Sequence, residues 1–256
     1  LGSSGTGLRH RLHGCTDRNR KQNRLAPTML ELPVRRIACF ISPHGFGHAS
    51  RASAIMEVLH RYDPSLHFEL FTKVPRWFFR QSLTGPFTYH ALLTDVGMAQ
   101  ASPLHEDLPK TLQLLNDFLP FRDDQITSLA KKIAKCGLVL CDIAPMGIAV
   151  AKKAGIPSVL VENFTWDWIY RGYLRYDSRI ERHATYLKGL LGDVDYRIQT
   201  EPICQPLDAH LTTQPVARRI RMPKKELRLR LGVSNRSRMI VLTMGGAQQP
   251  YNFPTT

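Results

Sequence analysis

Short apolar runs alternate along this chain with stretches whose apolar residues recur at helical spacing. The runs fall at residues 36–41, 67–72, 87–92, 137–142, 156–161 and 196–200. In the first, Ile37-Ala38-Cys39-Phe40-Ile41 is unbroken, as a parallel strand covered on both faces requires. Ala52, Ile55, Met56 and Leu59 then follow the i, i+3, i+4, i+7 spacing of one helix face. Farther on, Ile126, Leu129, Ala130 and Ile133 form another such face, ended by Gly137. Pro145 fits the first turn of the next helix and Gly155 its close. This alternation predicts right-handed βαβ units and an α/β fold, a Rossmann-like doubly wound parallel sheet.

Two ends of the chain break the pattern. Residues 1–28 mix Gly, Ser, Arg, Asn and Gln without periodicity, begin with Leu and precede Met29, so residues 1–33 read as a disordered leader or tag. Residues 34–216 form the main domain. Residues 217–256 read as a linker, a helix from Pro223 to Leu231 capped by Gly232, and a strand Met239-Ile240-Val241-Leu242 running into Gly245-Gly246, the truncated start of a second α/β domain.

Composition narrows the function classes. With 43% hydrophobic and 22% charged residues the chain is globular rather than disordered. No apolar run reaches the roughly 18 residues of a membrane span, and the Arg-rich start lacks the apolar core of a secretory signal, which places the protein in the cytoplasm. The five cysteines are odd in number and show no CxxC spacing, which argues against a disulfide framework or a zinc site. The net charge of +14 points to nucleic acid until it is mapped. Residues 1–36 hold eight Arg/Lys against two acids and residues 217–238 nine against one, so the body between them is balanced. The excess therefore reads as solvated charge at the margins, with no specific nucleic-acid partner. Trp77, Phe78 and Phe79, flanked by Arg76 and Arg80, suit either peripheral membrane contact or packing of a helix on the sheet, and packing is the favoured reading.

Chemistry concentrates between the first strand and the first helix, in Ser42-Pro43-His44-Gly45-Phe46-Gly47-His48-Ala49-Ser50-Arg51. Gly45 and Gly47 let the backbone turn sharply and leave helix N–H groups open to a ligand. The stretch nearly satisfies the dinucleotide fingerprint, with Ser50 in the third glycine's place. However, the second strand runs into Lys73 rather than an acid, so an NADP-binding oxidoreductase remains only a lesser alternative. His44 and His48 have the i, i+4 spacing of a metal pair, but glycines separate them, the helix is expected to begin only afterwards and no carboxylate completes the set, so no metal is assigned. No Gly-Lys-Ser/Thr follows the loop, which excludes a phosphate loop of that kind. Asp142 ends a strand on the same sheet edge. A histidine base oriented by that carboxylate has the arrangement needed to deprotonate a hydroxyl. Asn163, Trp166 and Asp167 follow another strand end and are candidates for the cleft wall or the core.

These residues resemble a known group. The Gly45–Arg51 loop, the strand ending at Asp142 followed by Ala-Lys-Lys-Ala-Gly-Ile-Pro at 151–157, and Asn163-Phe164-Thr165-Trp166-Asp167 look like the N-terminal half of GT-B glycosyltransferases. The likeness is to the glycosyltransferase-like N-terminal region fused to L-arabinokinase and, more distantly, to the lipid-linked N-acetylglucosaminyltransferase of peptidoglycan synthesis. The resemblance implies inverting transfer of a sugar from a nucleoside diphosphate sugar to an acceptor hydroxyl, with no bound cofactor and the nucleotide sugar as co-substrate. It implies His48 as base and Asp142 as its orienter. His44, Gly45, Gly47, Arg51, Asn163, Trp166 and Asp167 would lie along the acceptor-side cleft, and Gly245 and Gly246 on the donor side. With most of a donor domain missing, the polypeptide alone is expected to transfer sugar poorly or not at all. The alternative is a non-catalytic accessory or interaction domain of the same fold.

Overall fold

The structure, a computed structural model, describes residues 35–102 and 104–241. The leader at 1–33 and the Gly245-Gly246 turn lie outside the described residues. A seven-stranded parallel sheet organises the main domain. Its strands are β1 (Arg36–Ile41), β2 (His67–Thr72), β3 (Phe87–Ala91), β6 (Leu138–Asp142), β7 (Ser158–Glu162), β8 (Tyr196–Thr200) and β9 (Leu211–Thr213), in the order β3-β2-β1-β6-β7-β8-β9. The expected runs are all strands, and the fold is the Rossmann-like doubly wound sheet that their alternation predicts. β9 has no signal in the sequence because it is only three residues long and its side chains are largely exposed. A small antiparallel pair, β4 (Gln100–Ser102) and β5 (His105–Glu106), stands apart from the sheet.

Helices cover both faces. α1 (Phe46–Tyr62) and α2 (Arg76–Ser82) bury Met56 and Phe79 against Leu70 and Val161 on one face. α4 (Asp123–Lys132) and α5 (Pro145–Ala154) bury Ile126 and Val150 against Phe40 and Leu160 on the other. Each methylene removed from water there contributes about 0.8 kcal/mol. Gly155 closes α5 in the left-handed region, φ 67°, as expected. Gly137 does not cap α4, which stops at Lys132; its N–H instead reaches the Arg36 carbonyl at 3.0 Å and opens the way into β6. A third cluster gathers α3 (Leu108–Phe118), α6 (Trp166–Arg171) and α7 (Glu181–Gly192) around Ile143, the residue after β6.

The strand order reverses between β2-β1 and β6-β7. Ile41 pairs with Asp142 at the carboxyl ends of β1 and β6, so the loop after β1 and the acid ending β6 meet at the switch point where open parallel sheets hold ligands.

Two expectations about the C-terminal part need correction. Met239–Val241 form no strand, since no neighbouring strand among the described residues offers them a hydrogen-bonding edge. The basic segment is also not merely solvated. α8 (Lys224–Arg230) forms as expected, but ahead of it Arg218 lies over the Phe78 ring at 4.5 Å and donates to Ser82 Oγ at 2.7 Å. Arg221 donates to the carbonyls of Gln81 and Ser82, the last residues of α2, where the helix dipole favours a cation. Arg228 is buried and bonds the carbonyls of Ser234 and Ser237. The aromatic cluster divides as well. Phe78 and Phe79 are core, while Trp77 is 51% exposed and tilts against Phe46, 5.8 Å away. No helix among the described residues is long and apolar enough to cross a membrane.

The arginine contacts make a measurable difference between neighbours. Arg221→Ala is expected to lower unfolding free energy by about 1–2 kcal/mol, read as a lower urea midpoint at unchanged m-value. Arg219→Ala, at an exposed side chain with no such bond, is expected to stay within about 0.5 kcal/mol of the parent protein.

Candidate functional site

The site starts from the backbone after β1. Ser42 N–H donates to the Asp142 carbonyl at 3.2 Å, which prolongs the β1–β6 pairing by one step. Gly45 then turns the chain at φ 91°, ψ 160°, a conformation that side chains rarely adopt. α1 begins at Phe46, so His48 stands in its first turn and not before the helix, as the spacing of the glycines had implied. No side chain caps this end, and the first-turn N–H groups lack intrahelical partners. A Cβ placed on Gly47 would meet nothing within 4 Å, so this stretch of the turn faces open space.

Their places in the first two turns of α1 aim His48 and Arg51 at the end of β6. His48 Nδ1 lies 3.0 Å from Asp142 Oδ1. Arg51 takes the same carboxylate in a two-point grip, Nε to Oδ2 at 2.8 Å and Nη2 to Oδ1 at 2.7 Å. Its Nη1 reaches Asn163 Oδ1 at 2.8 Å and Thr200 Oγ1 at 3.2 Å. One guanidinium therefore ties together residues at the ends of β6, β7 and β8. Asp142 is 1% exposed. Burial pushes its carboxyl up, but the charge and hydrogen bonds of Arg51, with those of His48, outweigh burial and hold it below the ordinary carboxylate range. It is ionised at neutral pH and accepts the Nδ1–H of His48. That fixes the tautomer in which Nε2 carries a lone pair, and Nε2 has no hydrogen-bond partner among the described residues.

A cavity of about 330 Å³ opens beside this group, bordered by His44, Gly47, His48, Arg51, Asn163 and Phe164, with the ends of β8 and of the strap before α8 closing it. Of the sequence candidates, these first five line it directly. Gly45 supplies the turn behind it. Trp166 and Asp167 are buried and do not line it; Trp166 packs its ring against the edge of His44, 5.0 Å between centroids, and stacks on Tyr170. Burial, with the nearby His48 charge, lowers the His44 pKa and keeps that ring neutral at pH 7. Among the described residues no cluster of His, Cys, Asp or Glu is arranged to hold a metal.

Two participants come from the segment after β3, which the sequence leaves silent. Gly97, at φ 66°, lies so close to His44 that a Cβ there would stand 2.5 Å from Nδ1. Asp95 is buried and accepts from Ser42 Oγ at 3.1 Å; burial pushes its carboxyl up to about 6, against the opposing pull of His48, Ser42 and Trp166. Backbone strain collects here too. Ile143, next to Asp142, holds φ 58°, a costly conformation for a β-branched residue, of order 1–3 kcal/mol. Burial in the third cluster and a bond from its N–H to the Val161 carbonyl at 3.2 Å hold it there.

No family model matches the chain. It resembles L-arabinokinase. Over 227 residues it is 26% identical to the L-arabinokinase of Arabidopsis thaliana, an alignment that takes in 86% of this chain and 22% of that protein. The chain thus spans about a fifth of the length of that relative. Among solved structures it is similar to Acinetobacter baumannii MurG, at 11% identity and a TM-score of 0.41 over 73% of this chain and 47% of that one. It is also similar to Arabidopsis thaliana UGT89C1 complexed with quercetin, at 13% identity and a TM-score of 0.47 over 77% and 54% of the two chains.

Two stability measurements follow from this geometry. The raised Asp95 carboxyl binds its proton more tightly in the folded state, so its contribution makes stability fall as pH rises from about 4 to about 6 and leaves a constant penalty above that. Asp142, lowered, works in the opposite sense at lower pH, losing its contribution as pH falls through the acid range. Asp95→Asn, which keeps an acceptor for Ser42, is expected to be more stable than the parent at pH 7.5 by up to about 3 kcal/mol and to lose that advantage towards pH 4, measured by urea unfolding at both pH values. Gly97→Ala is expected to cost about 1–3 kcal/mol at every pH, through positive φ and the contact with His44.

Proposed function

We propose that this chain is the acceptor-side domain of a glycosyltransferase of the GT-B type, which transfers a sugar from a nucleoside diphosphate sugar to an acceptor hydroxyl. The observation that carries this reading is the 3.0 Å contact of His48 Nδ1 with Asp142 at the switch point, with His48 also bordering the cavity. An acceptor hydroxyl placed in that cavity would give its proton to His48 Nε2 as its oxygen attacks the anomeric carbon. The carbon–oxygen bond to the diphosphate breaks, and the configuration inverts. Asp142 keeps the imidazole in the required tautomer, and general-base assistance of this kind is worth about 10²–10⁴-fold in rate. The first-turn amides of α1 and the positive end of its dipole favour an anionic group approaching Gly47. Charge on the leaving diphosphate needs a second wall across the cleft, and water must be excluded from it. The likeness to L-arabinokinase supports the domain assignment.

One observation favours a second reading. The relative carries the matching region as about a fifth of its length and is named for a different reaction, so a non-catalytic accessory module of the same fold accounts for the match as well.

Saturation-transfer NMR on the 256-residue chain, against nucleotide sugars and hydroxyl-bearing acceptors, separates the two. An acceptor-side domain is expected to return acceptor signals that fade in Asn163→Trp, a variant that fills the cavity. A module serving only interaction returns neither class of signal, and that result would overturn the transferase reading. Nucleotide-sugar turnover by this chain that vanishes in His48→Ala would uphold the chemistry.

A further inference from the structure

Asp95 belongs to no sequence motif, yet it stands at the centre of the switch point. Thr94 Oγ1 donates to the Ile41 carbonyl at 2.9 Å, which seats the segment over the end of β1 next to Asp142. Asp95 Oδ1 accepts from Ser42 Oγ at 3.1 Å, and that hydroxyl accepts the His44 N–H at 3.3 Å, so the carboxylate is the root of the turn that carries His44. Among the described residues its Oδ2 has no hydrogen-bond partner, and neither has the indole N–H of Trp166, which lies near enough to favour the ionised form. A side chain kept only to brace the turn would be served by asparagine, which accepts from Ser42 without a buried charge. A carboxylic acid held there against its own solvation calls for an electrostatic use.

The other carboxylate shows what that use is. Asp142 is gripped at both oxygens by Arg51 and also lies 3.0 Å from His48 Nδ1. When His48 takes up a proton, this one carboxylate stands against two cations, and the group carries one net positive charge. The groups around Asp95 are His48 and Asp142 at the site, with Arg51 behind Asp142, neutral His44 on the turn, and the buried Tyr170 phenol, whose hydroxyl donates to the Gly97 carbonyl. Of these, Asp95 is the anion not already matched by a cation.

We propose that Asp95 is a positioning residue of this site: it holds the His44 turn through Ser42 and supplies a second counter-charge when His48 is protonated, beside Asp142, which Arg51 shares. This inference rests on the reading of His48 as the proton-accepting base. No proton passes to Asp95 in this step; it stays ionised while His48 holds the proton taken from the hydroxyl.

The coupling is reciprocal, so it is read on Asp95 itself. In the chain labelled with carboxyl-¹³C aspartate, the Asp95 resonance, assigned by its loss in Asp95→Asn, is followed from pH 4.5 to 8. In His48→Gln the midpoint is expected to rise by about 0.5 pH unit or more, because an imidazolium charge that would favour the carboxylate can no longer form. An unchanged midpoint would overturn the proposal, since a carboxylate that only braces the turn does not sense the imidazole. Should His48→Gln not fold, His48→Asn carries the same comparison. The readout needs no sugar, donor or acceptor, so a failed binding screen would remove the transferase reading while leaving this result to stand or fall by itself.

Discussion

The guanidinium of Arg51 is the interaction on which the rest of the site depends. It is the point where a helix, α1, is tied to residues at the ends of three consecutive strands of the sheet. Parallel strands carry no direct hairpin links at their carboxyl ends, so their relative positions there rest on what bridges them. Here the bridge is charge-assisted, forked and nearly buried, and a fork fixes direction as well as distance. A lysine could satisfy the charge but could not hold two carboxylate oxygens, an amide and a hydroxyl at once. The same grip that orders the strand ends also occupies both oxygens of Asp142. Structural order and the basicity of the site are thereby linked through one side chain.

Much of this was legible in the chain before any coordinates. β1, β6 and β7 announce themselves because a strand buried on both faces must be apolar nearly throughout, and runs such as Leu138-Val139-Leu140-Cys141 have little alternative; β2, β3 and β8, less fully covered, mix apolar with polar positions. The pairing of His48 with Asp142 was readable for a topological reason: a loop after β1 and an acid ending β6 share one edge once the sheet is parallel. What stayed hidden depends on contacts between residues distant along the chain. Asp95 and Gly97 act on Ser42 and His44 from more than fifty positions away, through a segment without periodicity. The use of Arg51 as a strand-end clamp needed the coordinates of Asn163 and Thr200. The helix start was misplaced by the glycines themselves, whose low helix propensity hides the fact that Gly47 sits inside a first turn.

The basic segment teaches a related lesson about charge. Counting Arg and Lys between 217 and 238 describes a solvated linker, and for several of these residues that description holds. Arg218, Arg221 and Arg228, however, spend their donors on backbone carbonyls, a hydroxyl and an aromatic face. A composition count cannot separate a cation facing water from one closing the end of a helix, because the carbonyls that need closing belong to α2, more than a hundred residues earlier.

That strap has a mechanical consequence. Pro215 and Val216 form part of the cavity wall, while Arg218 and Arg221 are staked to the end of α2. Five residue steps separate Val216 from Arg221, at most about 17–18 Å of extended chain. The stakes stand between α8 and the rim, so a pull transmitted through α8 is taken up by the end of α2 and reaches Pro215 and Val216 only once those bonds give way. The edge of the cavity beside His48 is thus insulated from movement at the far end of the strap for as long as both arginines hold.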